Sequence, residues 1–318
     1  MLKINDLSVT VKADGKTVKV LDGLSYDLKK AEVLAVVGES GSGKTLHALA
    51  LMRLLPPGAQ ATGEIIFEGR DILKLDKEAL RRLRGGKIGL VFQDAAASLN
   101  PVFTVKSQLT EALLAHNKLT GEEALAQAIK ILKSVGIEEK FLTAYPHQLS
   151  GGMRQRVMIA IALCCNPGLL IADEPTTALD VTVQSQILDL LKTLKEQRDM
   201  TVIFITHDLA LLYDIATRIV VLYGGRKVEE ASKKDLFAAP QHPYTKGLLA
   251  SIVKLGEKPE VLNAIPGVPP LPGEIFPGCN FEPRCPYSMP ICKMQDPPLF
   301  DLGGRSSRCW LCQGAQNG

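Results

Sequence analysis

Residues Gly38 to Thr45 combine glycines, a lysine and a hydroxyl side chain in a spacing that suits phosphate binding. Their sequence, GESGSGKT, fits the pattern G-x-x-x-x-G-K-[ST] and lies between an apolar strand pattern, AEVLAVVG, and a helical pattern, TLHALALMRLL. Glycines let successive backbone N–H groups face one point at a helix N-terminus, where hydrogen bonds and the helix dipole attract an anion. We predict that Lys44 reaches the β- and γ-phosphates of a nucleotide and that the Thr45 hydroxyl ligates Mg²⁺.

Residues 38–45 are termed the phosphate loop. An ordinary glycine-rich turn that opens a helix is the alternative, and the complete pattern with both flanks disfavours it. The predicted ATP contacts of the loop are Gly38, Glu39, Ser40, Gly41, Ser42, Gly43, Lys44 and Thr45.

Two acidic residues, Asp173 and Glu174, follow the apolar run LLIA. Ligands bind at the carboxyl edge of a parallel sheet, where such a strand would deliver both carboxylates. Asp173 suits the Mg²⁺ shell, and Glu174 suits the orientation or activation of a water. Two acids after a strand are by themselves more often the start of a solvated loop. We interpret them as site residues because the same chain contains the phosphate loop.

The segment LSGGMRQR, from Leu149 to Arg156, is a second candidate anion site. Its Ser-Gly-Gly precedes a helical pattern, and a serine with two glycines at a helix start makes an anion-binding terminus. The alternative is a simple N-cap, which is the role of most such serines. Asp180 is likewise predicted to cap the helix VTVQSQILDLLKTLKEQ.

Four cysteines are spaced as Cys279-x5-Cys285-x6-Cys292-x16-Cys309, and Cys312 follows the last of them. Structural zinc sites usually offer close pairs, and only the final two cysteines have that spacing. Four thiolates are also the ligand set of a 4Fe–4S cluster. Spacing alone favours an iron–sulfur cluster and zinc about equally, with a disulfide knot third, because cytosolic reductants disfavour disulfides.

The elements that must position these residues are predicted from hydrophobic patterning. Apolar strands alternate with helices, which indicates an α/β fold with a parallel, doubly wound core. Residues about 94–154 show helical rather than strand patterns and form a predicted helical insertion. Hairpins that would build an added antiparallel sheet are predicted to turn at Asp14-Gly15, Glu68-Gly69 and Gly224-Gly225.

After about Pro240 the chain becomes rich in proline, glycine and cysteine, which predicts a second, smaller unit. Cys164 and Cys165 lie instead on an apolar helical pattern, and we predict that they are core residues.

The composition and charge of the chain argue against several classes of protein. The 318 residues carry a net charge of +3 without a long basic run, which does not indicate nucleic-acid binding. No apolar stretch approaches the ~18–20 residues that cross a bilayer. The first residues alternate like a strand and lack the apolar segment of a secretory signal, so we expect an intracellular, soluble chain.

Several of these motifs occur together in an order that resembles ABC-type ATPases over residues 1–235. They are GESGSGKT, a lone Gln93 after KIGLVF, LSGGMRQR, LLIADEP, TALD and TVIFITHD. The resemblance implies a P-loop NTPase (RecA-like) core that binds ATP and Mg²⁺. It also implies two such domains packed head to tail, with each ATP between the phosphate loop of one and the LSGG segment of the other.

The resemblance assigns roles residue by residue. The catalytic residues it implies are Glu174, His207 and Gln93, and the Mg²⁺ ligands are Thr45, Gln93 and Asp173. The ATP contacts it implies in trans are Ser150, Gly151, Gly152 and Asp180. The family often stacks an aromatic side chain on adenine, and Val18 stands at the corresponding place here, so we expect affinity to come mainly from the phosphates.

Residues 236–318, termed the tail, resemble the C-terminal extension of ATPases that serve bacterial dipeptide, oligopeptide and nickel importers. The segments that carry this resemblance are HPYTKGLL, IPGVPP and GCNFEPRCPY. In peptide importers it implies a 4Fe–4S cluster in place of zinc. The implied ligands are Cys279, Cys285, Cys292 and Cys309, with Cys312 as the alternative fourth ligand.

The sequence therefore predicts an ATP-hydrolysing subunit that energises import of dipeptides or oligopeptides. The partners implied are a related ATPase subunit in a heterodimer, two transmembrane permease subunits and an extracellular solute-binding protein. The expected location is the cytoplasmic face of the bacterial membrane. The alternatives are the ATPase of a nickel or metal-chelate importer, a soluble ABC-type ATPase outside transport, and a module that holds ATP without turnover.

Overall fold

The computed structural model describes residues 1–13, 15–177, 179–252, 265–274 and 276–317. They form two compact units. Unit 1 comprises Met1–Leu28, Val33–Leu73 and Thr206–Gly318, and unit 2 comprises Lys29–Glu32 and Lys74–Ile205. The predicted boundary between residues 235 and 236 stays a prediction.

The strands are β1 (Leu2–Ala13), β2 (Lys16–Leu28), β3 (Val33–Val37), β4 (Ala59–Phe67), β5 (Arg70–Asp71), β6 (Ile88–Val91), β7 (Leu169–Asp173), β8 (Thr201–Thr206), β9 (Arg218–Tyr223), β10 (Arg226–Ser232), β11 (Phe300–Asp301) and β12 (Ser306–Ser307). The α-helices are α1 (Lys44–Leu51), α2 (Lys77–Leu83), α3 (Ala95–Ser98), α4 (Val105–His116), α5 (Gly121–Ser134), α6 (Gly151–Leu163), α7 (Val181–Arg198), α8 (Leu212–Ile215), α9 (Lys233–Ala238), α10 (Pro243–Ala250) and α11 (Pro290–Met294). Short 3₁₀ turns span Ile72–Lys74, Glu139–Thr143, Pro146–Gln148, Glu282–Arg284 and Trp310–Asn317.

Unit 1 contains an antiparallel sheet with the order β2-β1-β4-β5. One face is apolar and buried, with Leu7, Val9 and Leu21 inaccessible to solvent, as alternating strands predict. The predicted turn at Glu68-Gly69 is present, and both residues have positive φ, which suits a tight hairpin. Of the predicted turn at Asp14-Gly15, Asp14 lies outside the described residues.

A second sheet of unit 1 has the order β11-β12-β10-β9-β3. Strands β3 and β9 are parallel, with Val36 opposite Val220, and β10 runs antiparallel to β9. The β9–β10 hairpin was expected in the added sheet, and that expectation is wrong. Five of the six residues of β9 are buried, so this strand needs cover on both faces, which a place beside β3 provides.

Unit 2 contains the parallel strands β6, β7 and β8 with β7 in the middle. All residues of β7 and β8 are buried, which is typical of parallel strands covered on both faces. Helices α3, α4 and α5 lie within the segment predicted as a helical insertion.

Two helix starts were predicted correctly. The Ser150 hydroxyl accepts a hydrogen bond from the Met153 N–H at the start of α6, and the Asp180 carboxylate accepts one from the Val183 N–H at the start of α7. The prediction of core positions for Cys164 and Cys165 is wrong. Both are only partly buried, because α6 ends at Leu163 and they lie beyond its last buried turn. Within the described ranges, no helix has the length and apolar character that a bilayer crossing requires.

Candidate functional site

The phosphate loop connects β3 to α1 in unit 1, and its glycines are required by its shape. Gly41 and Gly43 have φ of 80° and 95°, which a residue with a side chain adopts only with strain. A Cβ on Gly38 would lie 2.2 Å from the carbonyl oxygen of Leu222. The loop therefore has the backbone that an inward-facing set of N–H groups needs.

The polar groups of the loop are placed for an anion. The Lys44 side chain is buried, and its ammonium donates to the carbonyls of Gly38 at 2.7 Å and Glu39 at 3.0 Å, so it lies over the loop. The buried Ser42 hydroxyl has no hydrogen-bond partner within the described part of the chain. Helix α1, all of whose residues are described, has no side-chain cap and no acid in its first turn, which leaves its N-terminus to an anion. Thr45 is exposed there, where its hydroxyl is accessible to a cation.

Glu39 is bonded to other parts of unit 1 through both its backbone and its side chain. Its N–H donates to the Tyr244 hydroxyl at 2.8 Å, and its carboxylate accepts two hydrogen bonds from Arg284. The sequence analysis missed both partners. Tyr244 lies in the HPYTKGLL segment and Arg284 in the GCNFEPRCPY segment, and both segments carried the resemblance of the tail. Neither segment indicated a contact with the phosphate loop.

The predicted acids follow β7 in unit 2. Asp173 is the last residue of the strand and is buried. The Glu174 N–H donates to the carbonyl of Ile205 at 2.9 Å, which continues the ladder toward β8 by one residue. Glu174 has φ of 45°, a strained value for a residue with a side chain. Such strain at a buried carboxylate is a feature of functional sites.

The Glu174 carboxylate is held by two donors. The Gln93 side-chain amide donates to its Oε2 at 3.0 Å, and the Thr177 hydroxyl donates to the same oxygen at 2.9 Å. Gln93 follows β6, and the parallel pairing of β6 with β7 brings it to Glu174. Thr177 was missed, although a hydroxyl three residues after the acid in EPTT is a visible signal. A carboxylate fixed in this way can orient a water.

The LSGG segment opens α6 in unit 2, where Ser150 and Gly151 are exposed and Gly152 is partly buried. A Cβ on Gly152 would lie 2.7 Å from a methyl of Val183, so this glycine permits close packing of α6 on α7. Gly151 borders an open groove together with Gln93 and other residues of unit 2. The exposed helix start is available to an anion, and the second anion site stays a prediction.

The remaining predicted site residues lie in unit 1 and at the start of α7. His207 is exposed directly after β8, and Asp180 is exposed as the cap of α7. Val18 borders an open cavity together with Arg226 of β10 and Phe276 of the tail. The tail passes close to this strand, since a Cβ on Gly273 would lie 2.3 Å from a Val18 methyl. The Phe276 ring of the tail and Val18 thus line the same cavity.

The tail brings the four predicted cysteine ligands to one cavity. This cavity, termed the cysteine cavity, is small, with a volume of about 10 Å³. Its cysteines are Cys279, Cys285, Cys292 and Cys309. Cys312 does not border it and packs against Phe300 instead. Burial raises the pKa of the Cys279 thiol to about 11 and that of Cys309 to about 12.

The thiols of this cavity are not arranged for a single ion. Within the described ranges, no group of three or more His, Cys, Asp or Glu side chains is placed to hold a metal ion. This finding supports neither zinc nor a 4Fe–4S cluster at these thiols, and both stay predictions.

Comparisons with known proteins agree with this geometry. Residues 21–177 match the family described as ABC transporter, and residues 228–292 match the oligopeptide/dipeptide transporter, C-terminal region. The chain is 47% identical to the oligopeptide transport ATP-binding protein OppD of Bacillus subtilis, over 95% of this chain and 86% of that protein. It is 45% identical to the dipeptide transport ATP-binding protein DppD of Bacillus subtilis, over 98% and 94% of the two chains.

A solved structure is similar as well. An ATP-binding cassette determined as a dimer in a post-hydrolysis state with ADP and phosphate superposes with a TM-score of 0.66 at 33% identity. The match covers 73% of this chain and 99% of that one. Its fold is the α/β cassette of a P-loop NTPase, as the sequence predicted.

Proposed function

The chain belongs to the ABC transporter ATP-binding family, and we propose that it is the ATP-hydrolysing subunit that energises import of dipeptides or oligopeptides through a membrane importer. The observation that carries the proposal is the buried Glu174 carboxylate, held by Gln93 and Thr177, in a chain with a complete phosphate loop. These are the parts that phosphoryl transfer to water requires.

Each residue has a role in this proposal. Lys44 and the N–H groups of the phosphate loop bind the β- and γ-phosphates, and Thr45 with Asp173 ligates Mg²⁺. Glu174 orients the attacking water and accepts its proton. Gln93 contacts Glu174 and stands at the Mg²⁺ and the water, while His207 contacts the γ-phosphate. Mg²⁺ supplies charge neutralisation on the phosphates when bound.

The proposed site needs a second ATPase domain. The exposed start of α6 supplies Ser150, Gly151 and Gly152 to the ATP of a partner, and Asp180 accompanies them. The partner supplies the same elements to this chain. Support comes from the solvent exposure of Ser150 and Gly151 in the single chain and from the dimeric state of the similar cassette. We propose that the partner is a related but different subunit.

Transport requires other chains. ATPase subunits of ABC importers work with transmembrane permeases and a substrate-binding protein. We propose that two permease subunits dock near the Gln93 loop and the helical insertion, that an extracellular protein delivers the peptide, and that this subunit lies at the cytoplasmic face of the membrane. The direct test is ATP hydrolysis by the assembled complex in lipid vesicles, which the binding protein loaded with a dipeptide should stimulate and the unloaded protein should not.

The tail carries a 4Fe–4S cluster in this proposal. The four cysteines around the cysteine cavity support it, and Cys309 rather than Cys312 is the fourth ligand because only Cys309 borders the cavity. Zinc is the weaker alternative. A cluster would cross-link and stabilise a proline-rich segment, because metal–ligand bonds supply folding free energy to segments without a core of their own.

A further inference from the structure

Arg284 of the tail forms a two-point ion pair with Glu39 of the phosphate loop. One guanidinium nitrogen lies 2.7 Å from Oε2 of Glu39 and the other 3.0 Å from Oε1, although the residues are 245 positions apart in the chain. The Arg284 side chain is 5% exposed and that of Glu39 is 27% exposed. Paired hydrogen bonds between a planar guanidinium and a carboxylate fix orientation as well as distance.

Arg284 is itself held from several sides. Its Nε donates to the carbonyl of Pro266 at 2.9 Å, and Nη1 donates to the Tyr223 hydroxyl at 3.3 Å. The guanidinium also lies over the rings of Tyr223 and Phe281, at 5.7 and 6.0 Å from their centroids. A side chain fixed at so many points cannot follow the loop freely, so Glu39 is held to a rigid partner.

A second bond fixes the same residue of the loop. The Glu39 N–H donates to the Tyr244 hydroxyl, and Tyr244 is fully buried. The Tyr244 ring packs on Tyr223 and Phe281, with centroids 4.6 and 5.5 Å apart. Backbone and side chain of Glu39 are therefore both tied to one aromatic cluster made of Tyr223, Tyr244 and Phe281.

This aromatic cluster also borders the cysteine cavity. Phe281 lines the cavity, and Arg284 immediately precedes Cys285 in the chain. Hydrogen bonds from the Arg284 N–H to the Phe281 carbonyl and from the Cys285 N–H to the Glu282 carbonyl keep this turn compact. Packed interiors transmit displacements because they contain little free space. Phe281 and Arg284 therefore connect the wall of the cavity to Glu39 through direct contacts.

We propose that Arg284 is a positioning residue that couples the tail to the phosphate loop, so that the folded cysteine segment raises the affinity of the loop for ATP and bound ATP stabilises residues 279–292. The inference rests on the proposed binding of ATP by the phosphate loop. If the folded tail raises the affinity for ATP, bound ATP must stabilise the tail to the same extent, because an equilibrium coupling between two sites is reciprocal. If the ion pair only held the tail in place, the stability of residues 279–292 would not depend on bound nucleotide.

The test compares Arg284→Lys with wild type in the full chain assembled with its importer partners. Lysine keeps the charge but cannot make the two-point pair. Arg305→Lys is the matched control, because Arg305 belongs to the tail and bonds the carbonyl of Ala239, away from the phosphate loop. The measurements are the Kd for MgATP, kcat and KM for hydrolysis, and hydrogen–deuterium exchange of the amides in residues 279–292 with and without MgATP.

We expect Arg284→Lys to raise the Kd and KM for ATP about 5- to 150-fold, the usual range of such couplings, with a smaller fall in kcat. We also expect MgATP to slow exchange of residues 279–292 in wild type and in Arg305→Lys, and not in Arg284→Lys. Wild-type affinity in Arg284→Lys, or equal protection by MgATP in all three proteins, would overturn the coupling.

Two further variants keep the result decisive. If Arg284→Lys unfolds the tail even without nucleotide, the same measurements are made on Glu39→Gln. This substitution weakens the Arg284–Glu39 ion pair by changing the phosphate loop and leaves the sequence of the tail intact. The double variant should cost no more affinity than the worse single one, as expected for two ends of one contact. Lys44→Ala separates the two proposals. If Lys44→Ala binds ATP as tightly as wild type, the proposed ATP site is contradicted. If Lys44→Ala loses ATP binding while Arg284→Lys binds ATP with wild-type affinity, only the coupling is contradicted.

Discussion

The Gln93 amide donates a hydrogen bond of 3.0 Å to the Glu174 carboxylate, across 81 residues of sequence. The contact joins the second residue after β6 to the first residue after β7, and the parallel pairing of those strands brings the two residues to the same edge. It places a neutral donor on the carboxylate that would accept a proton from water. The amide thus fixes the orientation of the carboxylate without adding a competing charge.

Glu174→Gln should bind ATP with nearly the affinity of wild type and lose about 10²- to 10⁴-fold in kcat, the usual contribution of a general base. The amide keeps the size of the side chain but cannot take up a proton. Binding measured with MgATP and steady-state hydrolysis by the assembled complex check this. Hydrolysis at the wild-type rate would remove Glu174 from the mechanism.

Thr177→Val should lower kcat less than Glu174→Gln does, by about 10-fold, because it removes one hydrogen bond to the carboxylate and not the carboxylate itself. The affinity for ATP should change little. Thr193→Val is a suitable control, since that hydroxyl bonds the carbonyl of Asp189 within α7. Equal rates in both variants and wild type would show that Thr177 does not contribute to the orientation of Glu174.

Phe276→Ala should raise the Kd for ATP about 5- to 150-fold, the range expected when a base loses an aromatic stacking partner. The ring borders the cavity beside Val18, where the family resemblance places adenine. Phe276→Tyr should retain affinity. The affinity for inorganic triphosphate, which has no base, should be equal in all three proteins, and a parallel loss there would assign Phe276 a structural role instead.

Protein purified without oxygen should be brown and contain iron and sulfide in equal amounts. Cys285→Ser should abolish the colour, whereas Cys312→Ser should keep it, because Cys312 does not border the cysteine cavity. Metal analysis and visible absorption distinguish the outcomes. Colourless wild-type protein with one zinc per chain would contradict the cluster.

Stability should fall below about pH 6.5 because two buried imidazoles resist protonation. Burial lowers the pKa of His47 and of His242 to about 3. Since the unfolded chain binds protons that the folded chain excludes, the stabilisation is complete above about pH 6.5 and is lost toward pH 3, by about 1.4 kcal/mol per pH unit for each histidine.

Thermal unfolding from about pH 7 to about pH 5, the range in which an unfolded histidine titrates, measures this dependence. His47 bonds the Tyr26 hydroxyl at 2.6 Å, and His47→Gln can keep that bond without a titrating group, so its Tm should fall less steeply with acidification. His147→Gln, a substitution of the same type at an exposed position, is the matched control. Identical slopes for wild type and His47→Gln would show that His47 does not contribute to the pH dependence.

Local patterns predicted much of the site. Glycine spacing identified the phosphate loop, and the caps at Ser150 and Asp180 were visible because capping depends on a few adjacent residues. A place for Gln93 at the same site as Glu174 was implied by the family resemblance, and the parallel pairing of β6 with β7 brings the two side chains into contact.

Contacts between distant segments could not be predicted in this way. The pair of Arg284 with Glu39 depends on the path of the tail, which no periodicity encodes. The β9–β10 hairpin was misplaced because a hairpin signal gives the pairing of its own strands and not the sheet that they join. Cys164 and Cys165 were misjudged because the apolar pattern continues past the last residue of α6.

The most direct test of the account is the hydrolysis rate per chain as a function of concentration. It is measured for wild type and for a Ser150→Arg, Gly152→Asp double variant, alone and with the other importer subunits. Because each ATP requires elements of two ATPase domains, the rate per chain should rise from near zero as dimers form, and the double variant should suppress it. A monomer that hydrolyses ATP at the full rate at every concentration, with Ser150 and Gly152 dispensable, would contradict the account.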